Sequence, residues 1–113
     1  MSAPRLTAEL FVSALLTQVS GEGGFGAVLR RGDRERGDVL LLLLERGLSK
    51  SLLERRLGPD GNYAWADLIA GEPDGSAACA RLIAARERFD PDFWLVELDV
   101  ADSERFIADR LNR

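Results

Sequence analysis

Residues 30–44 read Arg-Arg-Gly-Asp-Arg-Glu-Arg-Gly-Asp-Val-Leu-Leu-Leu-Leu-Leu, a polar segment holding two Arg-Gly-Asp triplets that runs straight into an apolar one. The apolar part decides the fold. In an extended strand successive side chains point to opposite faces, so Val39, Leu41 and Leu43 line one face and Leu40, Leu42 and Leu44 the other. A strand with one wet face would alternate apolar with polar residues, whereas this one needs cover on both sides. Either helices of the same chain straddle the sheet, or a second copy presses against it through Leu40, Leu42 and Leu44. Exposed apolar faces of this kind mark interfaces, and two-fold self-association is the commonest oligomer, so a homodimer is the expectation here.

Upstream, Phe25 to Arg31 is another strand-like run, and Gly32 and Gly37 suit a hairpin loop joining it to Asp38–Glu45. Before that, Leu10, Phe11, Ala14, Leu15 and Val19 recur at helical spacing, with Thr7 as N-cap and Gly21-Glu22-Gly23-Gly24 as the stop. Downstream, Leu52–Leu57 and Asn62–Leu68 flank Gly58-Pro59-Asp60-Gly61, which carries the proline and glycine of a type I turn. Asp74 or Ser76 caps a helix running to about Arg88, with Ala78, Cys79, Leu82, Ile83, Ala85 and Phe89 as its buried stripe. Asp90 before Pro91 ends it. Phe93 to Val100 alternates and predicts a half-buried strand with Trp94, Val96, Leu98 and Val100 inward. A short helix capped by Asp102 or Ser103 and anchored by Phe106, Ile107 and Leu111 closes the chain. The expected fold is a single α+β domain over residues 1–113. Its mostly antiparallel sheet has about five strands, with an N-terminal helix, a helix before the last strand and a short C-terminal helix, all on one face.

Composition narrows the function classes. The chain has 113 residues, 46% hydrophobic and 30% charged, a balance that supports its own core. Its formal charge of −4 argues against binding phosphate backbones, which requires a basic surface. The absence of histidine removes Ser-His-Asp and Cys-His nucleophiles and nearly all ordinary zinc sites. No cofactor is implied. Cys79 is the sole cysteine and lies on an apolar helical stripe, which reads as an inert buried thiol. Thr7 to Ser20 is broken by Glu9, Thr17 and Gln18 and does not read as a secretory leader, so a cytoplasmic address is expected. Val39–Leu44 is far too short to span a bilayer, so no membrane is expected as partner.

Few residues remain for chemistry. Arg30, Arg31, Arg34 and Arg36 could hold a phosphate or carboxylate in their guanidinium forks. Asp33, Glu35 and Asp38 lie among them, so a self-paired, solvated loop is the simpler outcome, with Gly32 and Gly37 serving the backbone and the aspartates its amides. Asp90 and Asp92 could bind a cation or act as acid and base with Arg31 beside them. The simpler outcome again is capping of the helix end and the turn. Gly21–Gly26 follows a helix and precedes a strand, the reverse of the order that a phosphate-cradling loop requires.

Taken together, LTAELFVSALL, GGFGAVLRRGDRERGDVL and RERFDPDFWLVELD resemble a bacterial domain-of-unknown-function family, number 1491 in its series. The resemblance spans nearly the whole chain, most sharply at Phe89–Trp94 and least from Arg46 to Gly71. It implies a small single-domain cytoplasmic protein and brings no activity or catalytic residues. The leucine run departs from it, since valines interleaved with lysine would be expected after the second triplet. The leading expectation for function is an interaction or accessory module that self-associates and meets an unidentified protein along the arginine loop. A small-ligand protein or carboxylate-based enzyme using Arg31, Asp90 and Asp92 stands second, and a nucleic-acid-associated protein using the arginine loop third.

Overall fold

The computed structural model describes residues 6–111. Helix α1, Ala8–Gly21, starts where the Thr7 hydroxyl accepts the Leu10 N–H and ends in the glycines before strand β1, Phe25–Arg30. Strands β2, Val39–Glu45, and β3, Leu48–Leu57, meet at the tight turn Arg46-Gly47, where both residues have positive φ. Strand β4, Tyr63–Asp67, follows the Gly58–Gly61 turn, which the Gly61 N–H closes onto the Gly58 carbonyl at 3.0 Å. Helix α2, Gly75–Phe89, is capped by the Asp74 carboxylate. Strand β5, Trp94–Asp99, leads to helix α3, Ser103–Phe106, which continues as a π-helical turn over Ile107–Leu111. The elements expected from the sequence are thus all present in their expected order.

The sheet order is β1-β5-β2-β3-β4, with every neighbour antiparallel except β2 and β5. The expected hairpin between β1 and β2 does not form. Strand β5, the last in sequence, inserts between them and pairs Val39 with Trp94 through Leu44 with Asp99 in parallel. The physical reason lies in β5 itself, where Phe93, Trp94, Leu95, Val96 and Leu98 are all buried. A segment apolar on both faces is stabilised most in the middle of a sheet. The half-buried strand expected there is therefore an interior one, buried on both faces apart from Glu97 and Asp99.

The helices straddle the sheet. On one side α1 and α3 cover Val39, Leu41, Leu43, Leu53, Trp94, Val96 and Leu98. On the other, α2 brings Ala78, Cys79, Leu82 and Ile83 against Leu40, Leu42, Leu52, Phe93 and Leu95, with Leu44 packed at the margin. This arrangement overturns the expectation that all helices share one face. It also removes the reason for self-association through Leu40, Leu42 and Leu44, because the chain's own α2 fills the place assigned to a second subunit. Ala85 and Phe89 leave the expected stripe and are exposed, Phe89 to 73%.

Candidate functional site

The residues singled out from the sequence come together at one end of the sheet, where the arginine loop crosses the start of β5. The loop is riveted to the backbone. The Asp33 N–H donates to the Asp92 carbonyl at 2.9 Å, the Trp94 N–H to the Asp38 carbonyl at 2.7 Å, and the Trp94 indole N–H to the Asp33 carbonyl at 2.7 Å. The two glycines are needed for this approach and not for unusual φ. A Cβ on Gly32 would lie 2.2 Å from the Asp92 carbonyl oxygen, and one on Gly37 would lie 2.4 Å from the same atom. The Asp33 carboxylate accepts the N–H groups of Glu35 and Arg36, at 3.0 and 2.8 Å, and these bonds hold its pKa below the ordinary value.

The arginines divide into different roles. A β-bulge interrupts β1 between Val28 and Arg30, so that Arg30 lies opposite Leu95 and Leu29 is the additional residue. The Arg30 guanidinium then sits 4.7 Å from the Phe93 ring centroid and donates to the Pro91 carbonyl at 2.9 Å. Arg31 and Arg34 both pair with Glu9 of α1, at 2.8 and 3.2 Å, and Arg31 also lies over the Trp94 ring. The loop's carbonyls do the same work for the helix, since Ala8 and Glu9 donate their N–H groups to Glu35 and Arg34. Arg36 makes no ion pair among the described residues. The four arginines therefore do not converge on a common anion.

Asp90 and Asp92 do not converge either. Asp90 accepts the Asp92 N–H at 3.0 Å and the Arg86 guanidinium at 3.0 Å, closing the turn at Pro91. Arg86 is the residue that the sequence left unmarked. It reaches Asp38 at 2.8 Å and Glu54 at shorter range, so one guanidinium ties α2 to the loop before β2, to β3 and to the Pro91 turn. Burial alone would lower its pKa, but the bonds to Glu54 and Asp90 and the charges of Glu54 and Asp38 outweigh it and raise the pKa. For Glu54, burial acts to raise the pKa, and the bonds from Arg56 and Arg86 bring it below the usual carboxylate value. Arg86 and Asp90 are visible in the sequence as an i, i+4 pair. Glu9, Asp38 and Glu54 carried no such signal, because the fold alone brings them near.

This cluster binds the protein to itself. Each carboxylate at its centre already accepts from an arginine, and no group of three or more Cys, Asp or Glu among the described residues is placed to hold a metal ion. Two concavities lie elsewhere. One, of about 700 Å³, sits between the end of α1, the Arg46 turn and α3, and includes the ion pairs Arg110–Glu22 and Arg105–Asp109. The other, of about 600 Å³, flanks β1 between Leu16, Thr17 and Ser20 of α1 and Gly24, Phe25 and Gly26. Burial raises the pKa of the Cys79 thiol, with the Asp67 charge adding to it, so the thiol stays protonated on the buried face of α2.

The fold and this internal latch define a small α+β domain with helices on both faces of a five-stranded sheet. The chain belongs to the family of proteins of unknown function DUF1491, whose model matches residues 6–108. It is similar to a DUF1491 family protein from Caulobacter crescentus whose crystal structure shares 28% identity with it, at a TM-score of 0.75 over 90% of this chain and 94% of that one. An NMR structure of a DUF1491 family protein from the same organism shares 32% identity, with a TM-score of 0.71 over 88% of this chain and 90% of that one. The solution structure of protein Atu0922 from A. tumefaciens shares 28% identity, with a TM-score of 0.72 over 88% and 89%. No curated protein matches the chain. No helix among the described residues is long and apolar enough to cross a membrane.

Proposed function

We propose that the protein is a small cytoplasmic interaction module without catalytic activity, which engages its partner by adding a strand at the open edge of β1. The single observation that carries this reading is the condition of that edge. Strand β1 is outermost in the sheet, yet Phe25 is 65% exposed and Leu29 51% exposed along it. Strand edges with large apolar residues pair readily with other strands, and soluble proteins usually guard them. The small-ligand or enzyme reading loses ground because Asp90 is engaged by Arg86, Arg31 by Glu9, and neither concavity is lined by Arg31, Asp90 or Asp92. Nucleic-acid binding loses ground with the division of the arginines and the net negative charge.

The test is affinity capture from native extract with the parent chain, the doubly substituted edge variant F25K/L29K and the loop variant R31E/R34E. Proteins retained by the parent and the loop variant but lost from a folded F25K/L29K support the reading. Retention that follows the loop instead of the edge overturns it.

A further inference from the structure

The first five residues of β1, Phe25-Gly26-Ala27-Val28-Leu29, contain no charge and no proline, so nothing that commonly protects an edge is present until the bulge at Leu29 and the Arg30 that follows. Across β5 the register pairs Phe25 with Asp99, Gly26 with Leu98, Ala27 with Glu97 and Val28 with Val96. Directly opposed residues in antiparallel strands share a face, so Phe25 and Ala27 lie with Glu97 on the α2 side, and Gly26 and Val28 with Leu98 on the α1 side. On the α1 side Leu16 of α1 occupies the space over Gly26. A Cβ there would meet Leu16 at 2.5 Å, and the groove of about 600 Å³ opens beside it.

Resting on the strand-addition reading above, we infer that the partner is a second copy of this chain, whose β1 runs antiparallel to the first about a two-fold axis at Ala27. In that register Ala27 faces the partner's Ala27, Gly26 faces the partner's Val28, and Phe25 faces the partner's Leu29. The two large exposed residues of the strand therefore cover each other twice. The partner's Val28 then lies opposite Gly26, beside the groove that flanks β1. The strand's one charge, Arg30, falls opposite the partner's Gly24, and the two Arg30 side chains lie at opposite ends of the pairing, so no like charges meet. Moving the axis by one residue, to Gly26 or Val28, keeps the faces but sets Phe25 or Leu29 opposite Ala27, so the mutual cover of the two large residues selects the axis at Ala27. The two sheets become one, with β1 no longer at an edge.

Sedimentation equilibrium on the full chain, from micromolar to near-millimolar concentration, tests this with variants at exposed positions. The parent is expected to dimerise, and F25K and L29E are each expected to weaken the dimer by roughly tenfold or more. The double variant F25K/L29E is expected to recover it, because opposite charges then face each other across the axis, while F25K/L29K is not. Independently of charge, A27C is expected to form a disulfide-linked dimer under mild oxidation, and F25C, whose copies lie far apart in this register, is not. A parent that stays monomeric overturns the inference, as does a dimer indifferent to F25K and L29E, or single-variant losses that F25K/L29E does not recover. If the parent is monomeric while capture from extract still depends on Phe25 and Leu29, self-pairing falls and the interaction reading survives; if capture is also independent of them, both fall.

Discussion

Gly32 and Gly37 are held by space and not by φ, and this sets a sharp expectation for alanine. At Gly32 a Cβ meets backbone atoms of Asp92 and Phe93, within 2.2 and 2.6 Å, and backbone cannot swing aside as a flexible side chain does. Gly32→Ala should therefore cost about 2–4 kcal/mol in urea unfolding. Arg86 sets a second expectation. Its side chain is only 15% exposed and so is that of Glu54, so Arg86→Met leaves a poorly solvated carboxylate with Arg56 as its remaining cation and should cost about 2 kcal/mol. Arg34→Ala, at a side chain 78% exposed, should cost less than about 0.5 kcal/mol in the same experiment. The sequence made the loop glycines legible as backbone devices, but it suggested freedom where the structure uses closeness. Arg86 stayed hidden because two of its three carboxylate contacts come from separate segments, and only the one to Asp90 follows a helical spacing.

At the scale of elements, helix and strand positions were legible because their signals are local: the Thr7, Asp74 and Asp102 caps, the Gly58–Gly61 turn and the proline after Asp90 all act where they stand. Pairing was less legible. Nothing within Phe25–Glu45 reports that a strand fifty residues downstream separates its two halves, since that outcome depends on which segment gains most from the central place. The five leucines posed the right question, namely what covers two apolar faces, and α2 answers it from within the chain. A test follows at Leu42, which is 9% exposed beneath that helix. Leu42→Asp would bury a charge with no partner and should unfold the domain or cost more than about 4 kcal/mol, as measured by circular dichroism with denaturant. A dimer contact at that position would have left the monomer folded.

For the whole molecule, acid is the condition that loosens the latch. Glu54 and Asp33 have folded-state pKa values below their ordinary 4.5 and 3.8. The unfolded chain then binds protons more readily than the folded one, so the stability these groups contribute is fully present above the ordinary values and is lost as pH falls through the lowered ones. Thermal melts should accordingly hold steady near neutrality and decline below about pH 4.5, with R86M flattening the decline. Such a latch also joins parts that are remote in sequence, because one guanidinium spans α2, the loop before β2, β3 and the Pro91 turn.

The place of β5 has a consequence for how the protein is made. Synthesis delivers β1, β2, β3 and β4 long before the strand that must lie between the first two. Until Trp94–Asp99 emerges, β1 and β2 have no native neighbour on their facing sides, and the leucine strand waits half-clothed. A nascent chain arrested before residue 93 should therefore be sensitive to protease and bind holdase chaperones, with resistance appearing in one step once β5 clears the ribosome. Completion of the sheet therefore waits on its fifth strand.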